Sequence, residues 1–568
     1  MLRPPECERL MLPKLLKREG PAVQGLLAIF LILQIIIRPT GEFPLNDDWA
    51  YAHSAIWFNT EHRIRLSNWI AMTLLPQTLA GGLVTRWFGF SFENLRHLTQ
   101  IVACLTLFSA YGFFRVIPLA RLNAFIATLV LMAMPSWLVL ANSYMSDLYA
   151  FVFAFPAAAF FVLYMRTDAR KFLVWATVFA AMGTLQRQVV LVIPFAFLLA
   201  QIWSLQPSSW RKNLEACMPF AFALGAFLAY SLYLSANGGV PDSQQKAHTR
   251  LWPLLLSELR GDPGMRAYFW ANISSVFGYL GLFLFGWLLW WGTPRLSTRL
   301  RVVLAVATGA ILAVSFAVNW LPPYQLNNTI DAAGIGPFTL YDVMSHPTFE
   351  PARHGGIVWP LAAVAAGCGT VGISALFCAV MAAIFKQRRA VDRENLFLTL
   401  VVMGYLAPFV IAGYFDRYLI FVLPFVIALW VRIWPISALV PSHLRGEVAV
   451  FLKGGALIWL AFAIGLGAAA THDYFEWNRA RWQAIRHAET LGANHQKIDG
   501  GFEYNGFYSH ETKKTPQGLN KSWWWVEDDL YVIAFSHVNG YSVVATYPVN
   551  GWISRTPKQV LLLRRTSP

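Results

Sequence analysis

The chain has 568 residues, of which 57% are hydrophobic, 15% aromatic and only 13% charged; an ordinary soluble domain carries about 25% charge. That balance excludes a soluble globular protein or a disordered chain and places the sequence among polytopic membrane proteins. The net charge of +15 does not call for nucleic acid, because the basic residues fall mostly in short loops, where they orient helices and meet anionic membrane lipids.

A bilayer core asks for about 20 apolar residues per spanning helix. In chain order the candidate spans are 21–37, 93–114, 122–141, 147–165, 172–186, 188–204, 214–235, 270–291, 302–320, 357–385, 395–413, 418–434 and 450–470. The expected fold is therefore an all-α polytopic membrane protein with about 13 transmembrane helices. The first span follows Arg3, Arg9, Lys14, Lys17 and Arg18 and ends in Arg38-Pro39 without a small-residue cleavage site, so it reads as an uncleaved anchor that starts in the cytoplasm.

Alternate loops support that threading. Those with Arg115 and Arg121, with Arg166, Arg170 and Lys171, with Arg211 and Lys212, with Arg295, Arg299 and Arg301, and with Lys386, Arg388, Arg389 and Arg393 are short and basic. The positive-inside rule puts them in the cytoplasm, and an odd number of spans then puts the C-terminus outside. The opposite loops are longer: 38–92, with amphipathic stretches at 49–58 and 66–88, then 236–269 and 321–356.

After Ala470 the composition changes. Residues 471–490 read as a helix, and Leu530–Val538, Tyr541–Tyr547 and Val560–Arg565 alternate and are rich in β-branched residues. The chain thus divides into a transmembrane part, 1–470, and a small α/β extracytoplasmic C-terminal domain, 471–568. Of five cysteines, Cys104, Cys217, Cys368 and Cys378 lie in apolar runs and read as buried structural residues, with Cys7 in the basic N-terminal segment.

Four motifs carry possible chemistry. Asn46-Asp47-Asp48-Trp49-Ala50-Tyr51 lies just beyond the first span; adjacent carboxylates at a membrane surface push one pKa upward, and such a group can act as a general base toward a hydroxyl. The bland alternative is a solvated acidic turn. Tyr144-Met145-Ser146-Asp147 lies between two spans, where an aspartate is commonly a helix cap. Gln186-Arg187-Gln188 separates two apolar stretches; Arg187 is either a snorkelling anchor or a clamp for phosphate. Tyr414-Phe415-Asp416-Arg417-Tyr418 is either an interface anchor or a substrate contact. Arg250, in the loop 236–269, is a spare cation. No His-x-x-x-His, Walker loop, Gly-x-Ser-x-Gly or dinucleotide fingerprint is present.

These motifs, in this order and on one face, resemble the C-type (GT-C) superfamily of integral-membrane glycosyltransferases, and within it the protein O-mannosyltransferases and the lipid A aminoarabinose transferases. The first loop there reads Asp-Glu followed by an aromatic; here Asp47 and Asp48 stand with Tyr51 and Ala52, with Asp in place of Glu at the second position. Ser146-Asp147 matches a second-loop motif and Arg417-Tyr418 a late Arg-Tyr step, while 49–58 and 66–88 resemble the family's flat helices. Asn478-Arg479-Ala480-Arg481-Trp482 and Asp499-Gly500-Gly501-Phe502-Glu503 match nothing in it.

The resemblance implies a bacterial inner (plasma) membrane enzyme of the cell envelope. It would transfer a sugar from a polyprenyl-phosphate donor to a hydroxyl of a lipid, glycan or protein acceptor on the extracytoplasmic face. Asp47 is then the base, Asp48 its tuning partner and Asp147 a positioning group. Arg187 and Arg417, with Arg250 in reserve, meet the donor phosphate, and Tyr51, Asp416 and Tyr418 line the substrate. A single base implies inversion at the anomeric carbon. No cofactor is required; some relatives bind a divalent metal ion, for which Asp47 and Asp147 are the oxygen donors on offer. The rival readings are a membrane transporter or lipid flippase, which the one-sided clustering of ionisable residues disfavours, and an assembly factor that docks through its C-terminal domain.

Overall fold

The computed structural model describes residues 11–204, 210–237, 239–292, 299, 302–303, 306–307, 330–331, 334–344, 358–386, 392–434, 447–511, 525–526, 528–553 and 557–566. Most of the expected span 302–320, most of the loop 321–356, and Cys7 lie outside them.

Helix α1 runs Met11–Ile37 and is followed by two short helices, α2 (Asp48–Glu61) and α3 (Leu75–Phe88). These answer to the two amphipathic stretches, except that the second helix begins only at Leu75, with Pro76 in its first turn, where a missing N–H costs nothing. Next come α4 (Phe92–Val116), α5 (Arg121–Met132) and α6 (Pro135–Ala141). The expected straight span 122–141 is in fact α5 and α6, bent by 78°. Pro135 explains the bend: it cannot donate to the preceding turn, and it holds Met134 extended (φ −65°, ψ 127°).

The bundle continues with α7 (Ser146–Thr167), α8 (Arg170–Gln186), a 3-10 turn at Gln188–Leu191, α9 (Val192–Ser204), α10 (Trp210–Ala236), α11 (Asp242–Leu259) and α12 (Pro263–Trp291). After the short α13 (Tyr341–Met344) come α14 (Val358–Lys386), α15 (Arg393–Ala412), a 3-10 turn at Asp416–Tyr418 and α16 (Leu419–Ile433). Eight described helices are long and apolar enough to cross a bilayer, or nine if the bent pair counts as one span. The stretches expected at 172–186, 188–204 and 418–434 form helices too short to qualify alone.

Close packing is clearest between α12 and α14. A Cβ added at Gly369 would sit 1.9 Å from the Gly281 carbonyl oxygen, so only small residues let these backbones meet. Lipid-facing positions are apolar and exposed, among them Ile35, Leu232, Phe451 and Ile458. The cysteine expectation is corrected here: Cys217, Cys368 and Cys378 are exposed and Cys104 half-buried, since a thiol is apolar enough for a lipid-facing surface.

The last helix, α17 (Glu447–Thr490), has 44 residues and runs about 66 Å at 1.5 Å per residue, twice the ~30 Å of a bilayer core. The expected boundary at 470/471 thus falls inside one unbroken helix. Its second half packs on a four-stranded sheet of order β3-β4-β6-β5: Ile498–Asp499, Tyr531–Ala534, Gln559–Arg565 and Tyr541–Pro548. The first pair is parallel and the others antiparallel; two further short strands, β1 (Ile330–Asp331) and β2 (Gly334–Ile335), form a separate ladder. Numbered in chain order, the sheet is β3 to β6, with helix α18 (Phe502–Ser509) after β3.

Candidate active site

Four breaks in the helical structure meet at the end of the bundle that carries the C-terminal unit. Between α1 and α2 the chain loops through Asn46, held at φ 55°, to Asp47, which precedes the first turn of α2. Between α6 and α7, Met145 is extended and Asp147 lies in the first turn of α7, where a carboxylate complements the helix dipole. Between α8 and α9, Arg187 is extended at φ −144° and ψ 121°. Between α15 and α16, Gly413 ends one helix and the turn Asp416–Tyr418 starts the other. At each break the regular backbone stops and a charged side chain points inward.

These side chains form one cluster. Asp147 is ion-paired through Oδ1 with Arg187 Nη1, and its Oδ2 lies 3.8 Å from Arg417 Nε. Arg417 places Nη2 3.6 Å from Asp47 Oδ2. Asp47 Oδ1 accepts the indole N–H of Trp69 at 2.9 Å. The Tyr418 ring faces both guanidiniums, its centroid 5.1 Å from Arg187 Cζ and 5.6 Å from Arg417 Cζ. Tyr51 is buried against the same group and donates its hydroxyl to Met72 Sδ at 3.7 Å.

Two carboxylates and two guanidiniums balance in charge, which is what makes their burial tolerable. Arg187, Arg417 and Asp147 are almost wholly buried; the Asp47 side chain alone keeps some exposure, 16%. The hydrogen bonding is incomplete. Arg417 Nε and Asp147 Oδ2 are buried without a hydrogen-bond partner among the described residues, and such atoms are rare unless a ligand or water completes them. Burial lifts the Asp47 carboxyl above its ordinary range; Arg417 and the Trp69 N–H pull it back, while the carboxylates of Glu503 and Asp147 push it further up.

Asp48 is placed differently. It is buried, accepts the Leu45 N–H at 3.2 Å and faces Arg96 rather than the cluster. Burial pushes its carboxyl up to about 8, against the pull of the Tyr144 backbone N–H and Arg96. Asp416 Oδ1 accepts the Arg417 N–H at 2.6 Å and so shapes the turn. Arg250 lies on α11, its side chain outside the described ones.

No family model matches the chain, and no curated protein does. Solved structures do match. A crystal structure of ArnT from Cupriavidus metallidurans in the apo state aligns with 95% of this chain and 98% of its own, at 12% identity and a TM-score of 0.39. A second, of the same protein bound to undecaprenyl phosphate, aligns with 96% and 98%, at 13% identity and a TM-score of 0.36. Likeness this distant assigns no role to any residue; the geometry of the site has to do so.

That geometry does not suit a divalent ion between Asp47 and Asp147. The Arg417 guanidinium already bridges them, at 3.6 and 3.8 Å, and no group of three or more His, Cys, Asp or Glu side chains capable of holding a metal occurs among the described residues.

Arg96 and Gln77, which carry no sequence signal, shape the site together with Arg479 and Gln186. Arg96 on α4 donates to the carbonyls of Pro39, Gly41, Phe43 and Asn142, at 2.9 to 3.2 Å, and so fixes the loop before Asp47. Arg479 on α17 holds the carbonyls of Arg38 and Thr40, each at 3.0 Å. Gln77 and Gln186 exchange hydrogen bonds beneath the cluster and tie α3 to the end of α8.

Proposed function

We propose that this chain is a membrane glycosyltransferase that takes a sugar from a polyprenyl-phosphate donor and places it on a hydroxyl acceptor. The observation that carries the reading is the buried Asp47–Arg417–Asp147–Arg187 cluster, built from four separate helix breaks at one end of the bundle, with two polar atoms that have no hydrogen-bond partner among the described residues. A transport path would favour ionisable groups near mid-span instead.

In the proposed reaction Asp47, the member with solvent access, takes the proton from the acceptor hydroxyl as its oxygen attacks the anomeric carbon. The donor's anomeric C–O bond breaks, and the pair of electrons leaves with the lipid phosphate. Developing charge on that phosphate is met by the guanidinium of Arg417, with Arg187 behind it. Protonation of Asp47 frees Arg417 from one of its two carboxylates as the phosphate gains charge, so the two changes offset each other. Asp147 holds both arginines, Tyr418 stacks against them, and Tyr51 is buried beside the cluster. A single base acting in line gives inversion.

The proposed site faces the extracytoplasmic side of a bacterial inner membrane. Support comes from the opposite end of the bundle, where Glu19 gathers Arg115 and Arg121, Glu215 gathers Arg170, Arg211 and Lys212, and Glu394 gathers Arg166 and Arg432. That end is the more basic, and basic ends face the cytoplasm.

The test is sugar release from a radiolabelled panel of polyprenyl-phosphate sugars by purified protein in lipid, wild type against Asp47→Asn. The asparagine can still accept the Trp69 N–H, so the fold should hold. Turnover that falls by about 10³-fold, within the range of a lost general base, supports the reading. Turnover that survives moves the base elsewhere, and none with any donor and acceptor overturns the enzyme.

A further inference from the structure

The C-terminal unit reaches the acidic turn from 457 residues away in sequence. Glu503, in the first turn of α18, accepts the backbone N–H of Asn46 through Oε1 at 3.2 Å. Its Oε2 accepts the Thr339 hydroxyl and Arg481 Nη1, each at 2.7 Å. Arg481 continues to the Gly500 carbonyl through Nε, at 2.7 Å. Both members of the pair are 0% exposed.

A buried ion pair is weak evidence of stability, since an apolar pair of similar volume commonly does as well or better. What an apolar pair cannot do is accept the N–H of Asn46. That residue is held in the left-handed region at φ 55°, a conformation that costs free energy unless its surroundings enforce it. It is also the residue directly before Asp47, so its backbone sets where the Asp47 carboxylate points.

A second contact leads to the same carboxylate. Trp69, which donates to Asp47, lies edge-on against Trp525 (5.6 Å between centroids) and His510 (5.8 Å). Glu511 accepts the hydroxyl of Ser67, two residues before it, at 2.6 Å. Gly506 lies so close beneath Trp49 that a Cβ there would be 2.5 Å from the ring. Both the backbone before Asp47 and its hydrogen-bond donor are thus gripped by the C-terminal unit.

We propose that Glu503 is a positioning residue for Asp47, so that the C-terminal unit forms part of the transferase site rather than an appended docking module. This rests on the function proposed above. The experiment uses the full chain in lipid and two double variants that both remove the ion pair. In Arg481→Met/Glu503→Leu the pair becomes apolar and the Asn46 N–H loses the Glu503 carboxylate. In Arg481→Met/Glu503→Gln the carboxamide oxygen is free to accept the Asn46 N–H while its NH2 faces the Thr339 hydroxyl.

Transfer by the leucine variant should fall about 30-fold or more in kcat with the donor KM little changed, as a displaced catalytic group does. Amide hydrogen exchange over 43–49 should speed about tenfold, the loss of one buried hydrogen bond. The glutamine variant should recover both. Equal turnover in the two variants, or wild-type protection of 43–49 in the leucine variant, overturns the proposal. Should the leucine variant not fold, Glu503→Gln with Arg481 kept takes its place: the amide oxygen turns to Arg481 and its NH2 to Asn46, so 43–49 should lose protection, and retained protection overturns the proposal. If wild type transfers no sugar at all, the transferase reading fails by itself, and the exchange measurement still decides whether Glu503 holds the turn.

Discussion

Replacing Asp48 by asparagine should stabilise the protein in alkali and leave it unchanged in acid. The carboxyl is buried against Leu45, Tyr144 and Arg96, and burial raises it from 3.8 to about 8. The folded state therefore binds this proton more tightly than the unfolded chain. Stability from Asp48 is fully present below pH 3.8 and declines as pH rises through the window up to about 8. A rise of roughly four units at ~1.4 kcal/mol per unit sets a ceiling of about 6 kcal/mol. Asparagine mimics the protonated acid in size and keeps an oxygen for the Leu45 N–H. The difference between variant and wild type should then be near zero at pH 4, grow through neutrality and level off above pH 8–9 at about 3–6 kcal/mol, a gain of a few degrees in Tm for a chain this long. Thermal unfolding in detergent at a series of pH values reads this directly. A variant that is less stable at pH 9, or a gain independent of pH, refutes the argument, because the effect would then be packing rather than charge.

Arg417→Gln removes the cation that most lowers the Asp47 carboxyl, so the acid limb of kcat/KM should move to higher pH; a limb that stays or moves down refutes the pairing. Asp147→Ala should leave Arg187 and Arg417 with one carboxylate between them and destabilise by about 3–5 kcal/mol, seen as lost yield and Tm, whereas Asp147→Asn should fold better and transfer poorly. Arg96→Met strips donors from four carbonyls and should cost about 3 kcal/mol or more, measured as a lower Tm with faster exchange over 39–45. Gly369→Leu should drive α12 from α14 and abolish folding, since even a Cβ meets Gly281 at 1.9 Å; normal expression and Tm would show that the helices are not packed so closely.

Charges are legible in an apolar sequence because each one is an exception that the membrane penalises. Asp47, Asp147, Arg187 and Arg417 stand out for that reason, Tyr418 only as the neighbour of Arg417, and the structure brings all five together. Their pairing was not legible: the arginines expected at a donor phosphate are ion-paired with the aspartates. Asp48 was grouped with Asp47 by adjacency, yet as the first residue of α2 it points toward Arg96 instead. The Pro135 bend was visible as a residue but hidden by hydropathy, which sums apolar content without regard to direction. Trp69, Glu503 and Arg481 gave no signal as site residues, because an aromatic in an amphipathic loop and an ion pair in a soluble unit are ordinary, and only the fold places them beside the acidic turn.

The placement of the cluster follows from one constraint. Inside a bilayer the backbone must stay hydrogen-bonded, so spanning segments remain helical and carry few charges. Irregular backbone and ionic side chains are tolerated together only where helices end against other protein. Here four helix ends meet under a folded C-terminal unit, whose Phe502 packs on Trp49 and Trp69, the rings beside Asp47. The unit thereby lowers the local dielectric and raises the proton affinity of Asp47, the carboxylate of the cluster that retains access to solvent. A base on an open membrane surface would stay ionised near its ordinary pKa and bind protons weakly. Under the proposed mechanism, Asp47 covered in this way is poised closer to the pH at which a base accepts a proton, and the 44-residue helix α17 carries that cover beyond the bundle.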